Sequence, residues 1–146
     1  MKKKNFITLS VIFLLLIGCS KTGDSNEHQV VNSTEFTVSI FSEKYEFENL
    51  NPEQSIFLTY YANYTDKSTY PQINISTFWS GKVVFLYKGK YYEETSFSEQ
   101  SILNEQAYVL GYEGTLKSGG KHNVYSFHIT EDYILSLPEV EMLTEN

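Results

Sequence analysis

Arginine is absent from this chain, and that removes the planar fork that reads phosphate and guanine bidentately, so nucleic acid is not an expected partner. Cysteine occurs once, at position 19, so no disulfide can close within the chain and no thiolate cluster can hold a metal. Histidine occurs three times, at 28, 122 and 128, with no close histidine or carboxylate at metal-ligand spacing; neither a zinc centre nor another metal or cofactor is expected. Alanine, the strongest helix former, is found only at 62 and 107. Only one long apolar run exists, and it stops at Ile17.

Catalytic motifs are missing too. There is no Gly-x-Ser-x-Gly elbow and no Ser-x-x-Lys catalytic context, and Gly119-Gly120 lacks the spaced glycines, lysine and helix of a phosphate loop. Glu93 and Glu94 are neighbours that a strand would point to opposite faces, so they are not a proton-sharing pair. Glu139 and Glu141 could share a face, which a solvated strand edge accounts for. The expectation is a protein that is not an enzyme.

What the chain does have begins at its start. Lys2, Lys3 and Lys4 precede an apolar segment from Phe6 to Ile17, the charge and length pattern of an export signal. As a helix this segment would reach about 18 Å, short of the roughly 30 Å of a bilayer core. It ends in Leu16-Ile17-Gly18-Cys19, which resembles the lipobox of bacterial lipoproteins. That resemblance implies cleavage after Gly18, a diacylglyceryl thioether on Cys19, and residence on the extracytoplasmic face of a bacterial cell membrane. It implies as well that the only thiol is consumed by lipid.

Three regions are then expected: a signal peptide over 1–18, a lipid anchor and flexible tether over 19–33, and a β domain over 34–146. The tether reading rests on a polar stretch whose only apolar residues are Val30 and Val31, with a reach of about 20 Å. Without its first eighteen residues the chain carries eight lysines against eighteen acidic residues, a formal charge of −10. Repulsion from anionic lipid would hold such a domain off the membrane surface.

From Glu35 onward the pattern has period two. Phe36, Val38 and Ile40 alternate with polar residues, and the apolar parity switches by Tyr45 and Phe47, which a bend or bulge near Ser42-Glu43 would account for. Ile56 to Tyr64 predicts a second strand, Ile73 to Trp79 a third, and Val83 to Tyr87 a fourth that turns at Lys88-Gly89-Lys90. Ser98 to Glu105 reads as a loop or one helical turn, Ala107 to Leu116 and Asn123 to Ile129 as strands, and Tyr133 to Met142 as a strand or short helix interrupted by Pro138.

Twelve tyrosines and ten phenylalanines suit such strands. About seven short strands with turns between them predict an all-β, antiparallel sandwich, with a small closed β-barrel as the alternative.

The sequences Asn51-Pro52-Glu53, Asn63-Tyr64-Thr65-Asp66 and Thr115 to Gly120, the last leading into Tyr125-x-Phe127, are similar in pattern to the immunoglobulin-like domains of bacterial surface lipoproteins. The resemblance implies a sandwich that displays a binding surface, although the paired cysteines of antibody domains are missing.

Tyr61, Phe78 and Tyr92 fall on the parity opposite the better apolar faces, and with Trp79 they form a candidate exposed aromatic surface for a sugar ring or a protein. The expected function is a non-enzymatic binding module of the envelope, anchored through lipid and contacting an envelope protein or glycan. The second reading is an inhibitor or immunity protein against an envelope-directed hydrolase, with the loop Lys117 to His122 as its plug.

Overall fold

The computed structural model describes residues 25–58, 74–116 and 119–141. Nine strands and two short helices lie among them: β1 (Ser25–Asn32), β2 (Val38–Ser42), β3 (Glu46–Leu50), β4 (Ser55–Leu58), α1 (Ile75–Trp79), β5 (Val83–Tyr87), β6 (Lys90–Glu94), β7 (Val109–Thr115), β8 (Lys121–Ile129), α2 (Glu131–Ser136) and β9 (Glu139–Val140). They form two sheets, ordered β4-β1-β8-β7 and β3-β2-β5-β6-β9. The sheets pack on one another without closing, so the protein is a β-sandwich and not a barrel.

Its core lies between them. Val30, Leu58, Phe127 and Ile129 come from the first sheet; Val38, Ile40, Phe85 and Tyr87 come from the second. Strand β5 is central in its sheet, and Val83, Val84, Phe85 and Tyr87 are all buried, which explains its nearly unbroken apolar sequence.

One strand pair departs from the antiparallel expectation. β1 runs parallel to β8, in register from Ser25 opposite His122 to Asn32 opposite Ile129, and is flanked on its other side by antiparallel β4. Residues 25–32 are therefore a strand inside a sheet and not part of a tether. Strand β1 supplies Val30 to the core and places polar residues where other strands supply apolar ones.

Asn32 makes this tolerable at one end. Its amide donates to the carbonyls of Phe36 and Leu50, each at 2.8 Å, and its Oδ1 accepts from Thr34 N at 3.0 Å and Thr34 Oγ1 at 2.8 Å. A buried amide with its donors and acceptor all used carries little desolvation penalty.

The expected third strand is corrected as well, since Ile75–Trp79 is helix. Asn74 caps it, its Oδ1 accepting from Thr77 N at 3.0 Å, and Ile75, Phe78 and Trp79 recur at helical spacing on the buried face. Residues 59–64 of the expected second strand and Ile73 lie outside the described residues. The parity switch near Ser42 is a hairpin, β2 pairing antiparallel with β3, and a second irregularity sits between Val38 and Ile40.

The turn at Lys88-Gly89 joins β5 and β6 with only two residues, both at positive φ, 51° and 77°. That is the mirror-image turn whose twist matches a tight hairpin. The final segment is a helix followed by a strand, α2 then β9, with Pro138 between them.

Candidate functional site

The four residues expected to form an exposed aromatic surface do not do so where they are described. Phe78, Trp79 and Tyr92 are at most 7% exposed, and Tyr61 lies outside the described residues, as does Cys19. The parity argument failed at Phe78 because that segment is helical. Phe78 instead stacks on Tyr45 at 4.2 Å and meets Trp79 edge-on at 4.9 Å.

Trp79 leads into a buried polar chain. Its Nε1 donates to Tyr108 Oη at 3.1 Å, and Tyr108 donates in turn to the Ile102 carbonyl at 3.1 Å. Ile102 N donates to Tyr133 Oη at 3.2 Å, and Tyr133 donates to Glu94 Oε2 at 3.0 Å. Glu94 Oε1 accepts from Ser96 N at 2.7 Å.

Burial pushes both phenols well above their usual range, for Tyr133 with the Glu94 carboxylate adding to the effect, so they stay protonated as donors. This chain ties α1, the β6–β7 connection and α2 to one another. Glu93, by contrast, points outward to Lys82, so the two adjacent carboxylates lie apart.

The proposed plug also takes a different form. Lys117 and Ser118 lie outside the described residues, while Lys121 and His122 belong to strand β8 itself. Leu116 N donates to the Gly120 carbonyl at 2.8 Å, and Gly119 N to the Leu116 carbonyl at 2.8 Å, closing the hairpin end. His122 Nε2 is 3.6 Å from Glu27 Oε2, and the ring of Tyr112 meets His122 edge-on.

Two other features stand out. The first is the edge strand β7, exposed along nearly its whole length. Val109 is 67% exposed, Tyr112 57% and Leu110 46%, although all three sit in a sheet. Its one charged residue is Glu113, whose Oε2 is 3.6 Å from Lys121 Nζ. Sheet edges are normally guarded by lysine, proline or a cover, and β7 contains neither lysine nor proline. Its guard is the register shift between Leu110 and Tyr112, at Gly111.

The second is a cavity of about 150 Å³ lined by Asn26, His28, Glu105, Tyr108 and Tyr125. Pairing of β1 with β8 places His28 opposite Tyr125 and Asn26 opposite Asn123. Glu105 and Tyr108 arrive from a short helical turn, Glu105–Ala107, that precedes β7. His28 is 3% exposed, stacks on Tyr125 at 5.3 Å and meets Tyr108 edge-on at 5.5 Å. Burial holds its imidazole below the ordinary value, with the Glu105 carboxylate opposing that shift.

The sequence placed His28 in a tether, so the cavity could not be anticipated. The signal available was weak: a histidine two residues before an apolar pair in a polar octapeptide.

Among the described residues no group of three or more histidine, cysteine, aspartate or glutamate side chains could hold a metal ion. A larger cavity of about 270 Å³ between β6 and α2 includes Glu94, Tyr133 and Ser136. Glu94 and Tyr133 there are already engaged in the buried chain. No family model matches this sequence, and no curated protein or solved structure matches it either.

Proposed function

We propose that this protein is a lipid-anchored, extracytoplasmic binding module of the bacterial envelope that takes an extended segment of a partner protein onto the edge of β7, which no described strand covers. The observation that carries this reading is β7 itself, an edge strand with three large apolar side chains open to solvent. An added strand gains main-chain hydrogen bonds along the edge and side-chain contacts on alternating faces. The acidic domain, at a formal charge of −10 without the signal, favours a basic partner and would attract it from a distance.

The anchor follows from Leu16-Ile17-Gly18-Cys19. Because β1 begins at Ser25, only residues 20–24 separate the lipidated cysteine from the sheet, a span of at most about 20 Å. Ser25 pairs with His122, so the β7–β8 turn lies at the same end of the sandwich. That end faces the membrane on this reading, and β7 runs toward it, with Val109 at the far end.

Two measurements test the proposal. Mass spectrometry of the protein purified from a bacterial membrane should find diacylglyceryl on Cys19, and Cys19→Ala should leave the signal uncleaved and unmodified. A photo-crosslinking side chain at 110 or 112 should give one discrete adduct that the same group at exposed Phe57 or Leu135 does not. Adducts of equal yield from all four positions, or none from β7, would overturn the strand-addition reading.

A further inference from the structure

We propose that the outward face of the five-stranded sheet is a docking site for a basic amphipathic helix of a partner protein. Alternation decides which residues form that face. Val83, Phe85 and Tyr87 point into the core, so Val84 and Leu86 point away from it. The register sets Phe41 opposite Val84, Leu86 opposite Tyr91 and Tyr91 opposite Val140, so five apolar side chains make one band across β2, β5, β6 and β9. Val84 is buried as its floor, while Phe41, Leu86, Tyr91 and Val140 keep part of their surface in water.

At the Phe41 end the band opens into a cavity of about 450 Å³ lined by Phe41, Ser42, Glu43, Ser80, Lys82 and Val84, a seat for a large apolar side chain. An extended segment lying on this face would find no main-chain partners in it, because the N–H and C=O groups of the sheet are used between strands; a helix brings its own hydrogen bonds. The length agrees. From Phe41 to Val140 the band crosses three strand spacings of about 4.8 Å and one two-residue step of about 7 Å along β5, which is about 16 Å in all and close to three helical turns.

Charge defines the partner. Glu46 stands opposite Phe41 in the β2–β3 ladder, alternation places Glu48 on the same face, and Glu43 stands at the cavity. All three are exposed, and none forms an ion pair with another described residue. Lys82 is engaged by Glu93, which leaves Lys44, in the β2–β3 turn, against three carboxylates. A helix with lysine or arginine beside its apolar stripe answers that imbalance, whereas a second copy of this acidic face would be repelled. The face belongs to the other sheet from β7, and its occupancy does not depend on how that edge is used.

Methyl NMR of the full chain in phosphatidylcholine nanodiscs, titrated with a synthetic helical peptide whose leucines form one stripe flanked by lysines, tests the proposal. Saturable shifts are expected at the methyls of Val84, Leu86 and Val140 and none at Val109 or Leu110 on β7, which separates this face from the strand-addition reading. Glu46→Gln together with Glu48→Gln, both at exposed side chains, should weaken binding about fivefold at low salt, as the loss of two exposed ion pairs allows. Glu113→Gln on β7 should leave it unchanged. The same peptide with glutamate in place of lysine, or with a central proline that breaks its helix, should bind about tenfold more weakly. Equal binding of either control, the same shifts on raising the chain concentration without peptide, or no saturable shift at these methyls would overturn the proposal.

Discussion

At the scale of single residues, this sandwich is unusual in how much polarity it buries along one strand. Asn32 and His28 lie on the same face of β1, four residues apart, and are treated in opposite ways. Asn32 has its amide hydrogens and its oxygen engaged, whereas His28 Nδ1 has no hydrogen-bond partner among the described residues.

That difference has a pH consequence. Burial lowers the His28 pKa from its ordinary value, so the folded state resists protonation that the unfolded chain accepts. Above about pH 6.5 both states are neutral and His28 imposes no penalty. As pH falls below that value the unfolded state binds the proton first, and stability drops until the folded-state pKa is passed.

Around the ring, Glu105 is the charged neighbour and works against the shift, while burial keeps Tyr108 protonated. The Lys88–Glu131 pair acts in a different window. Its hydrogen bond holds the Glu131 carboxyl below the usual range, so that contribution is lost only at more acidic pH.

The expected result is a melting temperature that falls between about pH 7.5 and pH 5.5, and falls less in His28→Phe, which keeps the ring packing but cannot titrate. Thermal unfolding followed by circular dichroism at the two pH values checks it. Equal slopes in both proteins would show that His28 is not the acid-sensitive group.

Element by element, what could be read from the sequence depended on whether local chemistry and tertiary environment agreed. β5, the turn that follows it and β8 were legible because alternation, aromatic content and turn signals all pointed the same way. The misread of 75–79 as strand has a physical reason: Ile75, Thr77 and Trp79 satisfy period two, while Ile75, Phe78 and Trp79 satisfy helical spacing. Asn74 as cap and Ser80-Gly81 as exit decide for helix, with Ser80 at φ 56° and Gly81 at φ 79°. At Phe78 and Trp79 the expected aromatic surface failed with that element, since turning a strand into a helix changes which residues share a face; Tyr92 fails separately, buried in β6 opposite Phe85.

The β5–β6 turn offers a clean test of how local chemistry fixes an element. Gly89 sits at φ 77°, and a Cβ added there would meet nothing within 4 Å, so Gly89→Ala changes backbone strain and little else. The expected loss is about 1 kcal/mol, the cost of forcing an L side chain into the left-handed region. Urea denaturation at neutral pH measures it, with an unchanged slope showing that the same surface unfolds. A neutral substitution would mean that the turn relaxes to another type.

For the molecule as a whole, β1 decides where the domain begins. Composition argued for a tether through Ser33, because a strand of Ser, Asn, Glu, His, Gln and two valines has neither the alternation nor the hydrophobicity of its neighbours. Its stability comes from position: two ladders, parallel to β8 and antiparallel to β4, satisfy its backbone on both sides. A parallel pairing between residues about a hundred positions apart leaves no local signal in sequence.

The consequence is testable by truncation. A chain that starts at Ser33 removes an inner strand, opens β4 and β8 to solvent, and takes Val30 and Asn32 out of the core. It also leaves the carbonyls of Phe36 and Leu50 without the amide that Asn32 supplies. Such a fragment should show no cooperative thermal transition, while a chain that starts at Ser20, keeping all of β1, should unfold in a single step. Differential scanning calorimetry of the two distinguishes them. A cooperative transition in the shorter fragment would mean that β8 and β4 can close on each other, and that β1 is an addition to the sandwich and not part of its foundation.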